Sequence, residues 1–183
     1  MPAAIRFDRY GGPEVLAPAQ VPRPEPAAGQ VRLAVVAAGV NPVEWKIRRG
    51  DMAGGDGARA EPLTASRGLG TDVAGVVDAI GPGVTALAVG DEVFGRAHDA
   101  YAEHALADTD DLVARPAGLP WEVAASLAIS GETAYRTLGL LGVIGREAVG
   151  TTLLVHGASG GVGTVAVQLA ALRGARVIGT AGP

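Results

Sequence analysis

Residues 151–180 read TTLLVHGASGGVGTVAVQLAALRGARVIGT, and their order predicts a strand, a glycine-rich turn, a helix and a second strand. The apolar run at 152–155 is of the kind that a strand buried on both faces needs. Arg173 and Gly174 mark the end of the helix, and residues 176–179 resume a parallel strand. Apolar residues at helical spacing give the helix one stripe for packing on a sheet: Val162, Val165, Ala166, Leu169 and Ala170.

The turn between the first strand and the helix carries the predicted chemistry. N–H groups at a helix N-terminus hold about half a positive charge, and glycines let a pyrophosphate approach them closely. The pattern AxGGxG differs from the usual GxGxxG only by the methyl group of Ala158. Between a strand and a helix it predicts a dinucleotide site, with a tight packing turn as the alternative. The predicted cofactor contacts are Ser159, Gly160, Gly161, Val162 and Gly163.

The end of the second strand distinguishes between the two nicotinamide cofactors. An acidic residue about 20 positions after the turn would bind the 2′-hydroxyl of NAD. Residues 178–181 contain no Asp or Glu. A carboxylate there would repel a 2′-phosphate, so its absence favours NADPH. We include Thr180, at the carboxyl end of this strand, among the predicted cofactor-binding residues.

Composition and charge exclude several classes of function. The net charge of −4 gives no basic surface for nucleic acid or for electrostatic attachment to a membrane. The absence of cysteine rules out disulfides and thiolate metal ligands. No basic region precedes an apolar core at the N-terminus, and no apolar run approaches ~20 residues. We therefore expect a cytoplasmic protein without a membrane or nucleic-acid partner.

The first two thirds of the chain differ from the nucleotide unit. Short strands separated by tight turns predict a small all-β barrel, and the pattern becomes helical around Pro120. We place the domains at 1–125 and 126–183, an all-β domain followed by an α/β unit. Residues 50–67 have no clear period and are interpreted as a mobile loop near a ligand site.

Asn41-Pro42-Val43-Glu44 predicts the start of a short helix. Asn41 suits the N-cap, Pro42 the first helical position, and Glu44 the third, where its carboxylate can close a capping box. The helix is expected to continue to about Arg49.

Six collinear motifs resemble the medium-chain dehydrogenase/reductase superfamily, and within it the zinc-independent, ζ-crystallin-like quinone oxidoreductases. The resemblance implies a GroES-like β-barrel domain followed by the first βαβ unit of a Rossmann domain. Because the later strands of such a domain are absent, we expect the sequence to be part of a longer protein. The motifs are GVNPVEWKIRRG at 39–50, LGTDVAGVVDAIGPGV at 69–84, GDEVFG at 90–95, AYAEHALA at 100–107, GETAYRTL at 131–138 and VHGASGGVG at 155–163.

The same resemblance implies the site residues. Asn41 matches an asparagine that faces nicotinamide and substrate, and Thr133 a threonine near the nicotinamide. Lys46 stands where some members carry a tyrosine, and is the candidate donor to a substrate oxygen. Zinc-dependent relatives have cysteine in place of Asn41 and His-Glu in place of Thr71-Asp72, so we expect no metal. Each residue also has a purely structural alternative. Asn41 would cap its helix, Thr133 would form a hydrogen bond within its helix, and Lys46 would be a solvated surface side chain.

The expected function is hydride transfer from NADPH to a quinone or α,β-unsaturated carbonyl without zinc. An enoyl-thioester reductase of the same superfamily is the second enzyme hypothesis. A non-catalytic nucleotide-binding or structural protein is the alternative from another class. The partner is a small-molecule substrate, and the oligomeric state stays open, with a homodimer as one alternative.

Overall fold

The computed structural model describes residues 1–52, 61–144 and 148–182, which form two compact units. The first unit ends at Ala128, and the second begins at Ile129. Part of the predicted loop, residues 53–60, lies outside the described residues. Within the described ranges, no helix combines the length and the apolar character that crossing a membrane requires.

The first unit contains two antiparallel sheets. Their strands are β1 (Ala3–Phe7), β2 (Ala17–Gln20), β3 (Gln30–Ala38), β4 (Arg67–Gly68), β5 (Asp72–Ile80), β6 (Glu92–Arg96), β7 (His104–Asp108) and β8 (Leu112–Ala114). The larger sheet has the order β7–β3–β5–β6–β8, and the smaller has the order β2–β1–β4. Alternating strand residues such as Val31 and Leu33 point into a shared core with Val73, Val77 and Val93, all less than 2% exposed.

These sheets confirm a β-rich first unit, but the described strands do not close into a single barrel. Two backbone hydrogen bonds connect β1 to the segment that precedes β7, from Ile5 N to Tyr101 O (2.8 Å) and from Glu103 N to Ala3 O (2.9 Å). Residues 101–103 make these connections, and the ladder between β7 and β3 begins at His104. β2 contains Pro18 and pairs with β1 as an edge strand of the smaller sheet, a position in which a sheet tolerates proline.

Helix α1 (Pro42–Arg49) begins as predicted and ends at Gly50, whose φ of 85° is left-handed. Glu44 Oε2 accepts a hydrogen bond from Asn41 N (2.6 Å), which is the carboxylate half of the capping box. A second helix, α2 (Trp121–Ala124), packs Ala124 against the buried face of β5.

The second unit is a β–α–β arrangement preceded by a helix. Helix α3 (Ala128–Leu140), strand β9 (Thr152–His156), helix α4 (Gly161–Leu172) and strand β10 (Arg176–Thr180) follow in order. β9 and β10 pair in parallel from Thr152↔Arg176 to His156↔Thr180, which confirms the predicted unit. One face of this sheet and the small residues Ala166 and Ala170 of α4 form the core with Leu138 of α3.

Candidate functional site

The glycine turn of the second unit joins the end of β9 to the start of α4. Gly157 has φ of 75°, and Gly160 occupies the N-cap in extended conformation. The first α-helical bond runs from Thr164 N to Gly160 O (2.8 Å). The N–H groups of residues 161–163 therefore have no acceptor within the helix, because the first turn of any helix lacks one. These three groups can donate together to an anion.

Close packing around the turn requires glycine at two positions, one at the start of α4 and one on β10. A Cβ at Gly163 would lie 2.2 Å from Gly157 O, so the helix approaches the turn too closely for any side chain. A Cβ at Gly179 of β10 would lie 2.7 Å from the Ala158 Cβ. The extra methyl group of Ala158 therefore fits because the neighbouring strand carries glycine at 179.

Thr180 holds the turn from the neighbouring strand. Its Oγ1 accepts from Gly157 N (3.2 Å) and lies 2.6 Å from His156 Nδ1, and its carbonyl oxygen accepts from Ala158 N (2.8 Å). The structure thus gives the Thr180 hydroxyl a role in shaping the turn. From the sequence, Thr180 was predicted only as a cofactor contact.

Helix α3 contributes two side chains to this unit. Thr133 is half-buried on the helix, beside the core residue Ala134. Ser130 was missed: a Cβ at Gly161 would lie 3.1 Å from its Oγ, so this hydroxyl borders the turn. A serine before a glycine carries no distinctive signal in the sequence.

In the first unit, Asn41 is held by two buried carboxylates. Its Nδ2 donates to Asp72 Oδ2 (3.1 Å), and its backbone N donates to Glu44 Oε2 (2.6 Å). Asp72 is 0% and Glu44 3% exposed. The Glu44 contact was predicted as part of the capping box. The Asp72 contact was missed, although an acid opening the apolar strand DVAGVVDAI was a usable signal.

Burial changes the acid–base properties of this cluster. Desolvation raises the pKa of Glu44 above its usual range, although the hydrogen bond from Asn41 N opposes the change. Burial, together with the charges of Glu44 and Asp72, raises the pKa of Tyr101 to about 12. Glu44 Oε1 and the Tyr101 hydroxyl are buried without a hydrogen-bond partner among the described residues. Glu44, Thr71 and Arg96 are among the residues that line a nearby cavity of about 280 Å³.

Lys46 differs from these buried acids in its exposure to solvent. It is exposed on α1, and its Nζ lies 5.6 Å from the centroid of the Trp45 ring, which Arg49 Cζ also approaches at 5.4 Å. The arrangement is a solvent-facing cation–π contact. The role of Lys46 towards a substrate stays a prediction.

The three histidines occupy separate environments. His98 Nε2 lies 3.7 Å from Asp108 Oδ2, His104 Nδ1 lies 3.0 Å from Asp78 Oδ2, and His156 contacts Thr180. Across the part of the chain that the structure describes, no three His, Asp or Glu side chains are grouped so as to hold a metal ion.

Comparison with known proteins identifies the relatives of the chain. The family model for the alcohol dehydrogenase GroES-like domain matches residues 27–137. Quinone oxidoreductase of Rattus norvegicus is 41% identical over 182 residues, covering 98% of this chain and 52% of the relative. The chain thus spans about half the length of the curated quinone oxidoreductases it matches.

Solved structures agree with this result. Escherichia coli quinone oxidoreductase complexed with NADPH superposes with a TM-score of 0.81 at 32% identity, over 99% of this chain and 53% of that one. CurK enoyl reductase gives a TM-score of 0.85 at 29% identity, over 100% and 55%. With its GroES-like domain matched and its fold shared, the chain belongs to the medium-chain dehydrogenase/reductase superfamily, among relatives that include the quinone oxidoreductases.

Proposed function

We propose that the protein is an NADPH-dependent oxidoreductase that passes hydride to a quinone or an α,β-unsaturated carbonyl without zinc. The observation that carries the proposal is the turn before α4. The N–H groups of residues 161–163 have no acceptor inside the helix, in a chain similar to quinone oxidoreductases. The resemblance of Asn41 and Thr133 to family residues that face the nicotinamide further supports a hydride acceptor bound next to this ring.

The residues of the turn fit a dinucleotide. Ser159, Gly160, Gly161, Val162 and Gly163 would hold the pyrophosphate, since a diphosphate needs donors without intervening side chains. Gly163 allows the helix to approach the turn closely, because a Cβ there would lie 2.2 Å from Gly157 O. The neighbouring Ser130 hydroxyl is a further polar group at the same edge.

The preference for NADPH over NADH rests on the end of β10. Residues 178–181 are Ile, Gly, Thr and Ala, so no carboxylate there would repel a 2′-phosphate or bind a 2′-hydroxyl. Thr180 lies at this end with its hydroxyl already bonded to the turn. A solved relative was crystallised with NADPH.

On the acceptor side, Asn41 and Lys46 would donate hydrogen bonds to a substrate oxygen, and Thr133 would orient the nicotinamide. The nicotinamide supplies the hydride when it is bound. Zinc-independence rests on the sequence, because a chain without cysteine cannot form the cysteine-containing ligand sets of the zinc-dependent relatives. Carbonyl polarisation is then left to hydrogen bonds.

The experiment is steady-state oxidation of NADPH and NADH by the full chain, followed by nicotinamide absorbance with a quinone as acceptor. We expect turnover with NADPH, a higher kcat/KM than with NADH, and no loss after treatment with a chelator. Absence of turnover with intact NADPH binding would contradict the proposal. A rate that chelation abolishes would contradict its zinc-independence.

An enoyl-thioester reductase is the second candidate, and the similarity to CurK enoyl reductase favours it. An enoyl thioester tested beside the quinone separates the two, because the preferred acceptor has the higher kcat/KM. The non-catalytic alternative predicts saturable quenching or enhancement of NADPH fluorescence without oxidation by either acceptor. The absence of saturable binding would contradict all three.

A further inference from the structure

Asp72 carries an ionisable carboxylic acid and is fully buried. It opens β5 and is followed by the buried residues Val73 and Ala74. Burying a carboxylate is costly unless hydrogen bonds compensate it. One of those bonds comes from Asn41 Nδ2, at 3.1 Å. The acid therefore contacts Asn41, which the resemblance implies to face both nicotinamide and substrate.

Packing leaves Asp72 little freedom to move. Gly39 N donates to Asp72 O (3.0 Å), and a Cβ at Gly39 would lie 2.8 Å from Asp72 Cβ and 2.4 Å from Ala125 O. The Asn41 backbone is fixed independently by Glu44 Oε2. Asn41 is thus restrained at its main chain by one buried acid and at its side chain by another.

We propose that Asp72 is a positioning residue that fixes the plane of the Asn41 carboxamide and determines which end of it, nitrogen or oxygen, faces Asp72. A carboxamide can turn by half a rotation and exchange its donor and acceptor ends. An ionised carboxylate only accepts, so the Asn41 nitrogen must face Asp72. One amide N–H is engaged there, and the position of the oxygen follows. The inference rests on the proposed function, because the fixed carboxamide serves the nicotinamide or acceptor carbonyl.

The first test uses the protein without cofactor. In ¹⁵N-labelled protein, the Asn41 side-chain amide signals are assigned by their loss in Asn41→Ala. We expect one of the two protons to exchange slowly with solvent in the wild type, and both to exchange rapidly in Asp72→Ala. Asp72→Asn keeps the size and one acceptor oxygen, so its exchange should be intermediate. Wild-type protons that both exchange like exposed amides would overturn the proposal.

The matched control is Asp78→Asn. Asp78 lies on the same strand and accepts from Arg32 Nε (2.7 Å), so the variant removes a comparable carboxylate away from Asn41. It should lower the free energy of unfolding and leave the Asn41 signals and kcat unchanged. If it altered them as Asp72→Ala does, the effect at Asp72 would be general destabilisation, and the proposal would fail.

The second test is a double-mutant cycle on turnover. Asp72→Ala should lower kcat by about 10- to 100-fold, with a smaller change in KM for NADPH, because misplacing a contact group acts on the reacting geometry. Asp72→Asn should recover part of the loss. In the Asn41→Ala background, Asp72→Ala should have no further effect, since Asp72 acts through Asn41. Independent, multiplying losses would overturn the proposal.

The two proposals fail in different ways. A wild-type protein that lacks NADPH turnover refutes the proposed function and leaves the exchange experiment to decide on Asp72. A protein that turns over and shows no coupling between Asn41 and Asp72 keeps the function and refutes the positioning role.

Discussion

Gly163→Ala tests the close approach of helix α4 to the glycine turn. The new Cβ would lie 2.2 Å from Gly157 O, 2.8 Å from Ala158 Cα and 3.0 Å from Ala158 C, whereas ordinary contact begins at 3.4 Å. All three atoms belong to the backbone, so no side-chain rotation relieves the overlap. Overpacking of this kind costs about 1–3 kcal/mol, and the helix preference of alanine returns about 1 kcal/mol. We expect a net loss of up to about 2 kcal/mol.

Two assays measure the consequences for stability and for binding. Denaturant unfolding should show the lower free energy of unfolding. NADPH fluorescence titration should show a Kd about tenfold or more higher, because each ~1.4 kcal/mol lost from the contacts weakens binding tenfold. The control is Gly139→Ala on α3, where a Cβ meets nothing within 4 Å. That variant should gain about 0.5–1 kcal/mol. Unchanged stability and unchanged Kd in Gly163→Ala would refute the reasoning.

Three further substitutions test the electrostatics and the hydrogen bonds. Because the pKa of Glu44 is raised in the folded state, the wild type should lose stability as the pH rises from the usual glutamate range towards neutrality. Glu44→Gln lacks this ionisation, so its free energy of unfolding should rise relative to that of the wild type over the same range, as measured by urea unfolding. Tyr101→Phe should unfold with unchanged or higher free energy, by up to about 1 kcal/mol, and should abolish the tyrosine ionisation at about 12 in an absorbance titration. Thr180→Val should lose about 1 kcal/mol and weaken NADPH binding, because Gly157 N loses its acceptor.

Each has its own contradicting outcome. A pH-independent difference between Glu44→Gln and wild type would show that Glu44 titrates normally. A clear loss of stability in Tyr101→Phe would show that its hydroxyl is hydrogen-bonded after all. Thr180→Ser retains the hydroxyl and should behave like the wild type; if it fails as Thr180→Val does, the methyl group is responsible.

The local signals in the sequence were sufficient for the elements that the chain specifies by itself. The turn at 157–163 and the start of α1 at Asn41 follow from glycine conformations and capping chemistry between adjacent residues. Hydrogen bonds that close within a few positions leave such patterns. The parallel pairing of β9 with β10 followed from the helix between them.

Long-range pairing could not be predicted in the same way. β4 has only two residues, Arg67 and Gly68, and exists because they pair with Phe7 and Arg6 some 60 positions earlier. The hydrogen bond from Asn41 to Asp72 joins the N-cap of α1 to the first residue of β5, and no periodicity in the sequence relates these two positions. The separation into two sheets depends on which edges meet, and the alternation within each strand does not contain that information.

The hydrogen bonds between the glycine turn and Thr180 limit how the proposed preference for NADPH over NADH could be altered by mutation. Selectivity between phosphorylated and unphosphorylated adenosine is normally altered by replacing residues just after the second strand. Here the same strand end supplies the oxygen atoms that brace Gly157 and Ala158. Under the proposed function, a substitution that removes the hydroxyl would weaken the turn proposed to bind the diphosphate as well as the strand end proposed to lie near the ribose. A library at this end should therefore keep threonine or serine at 180.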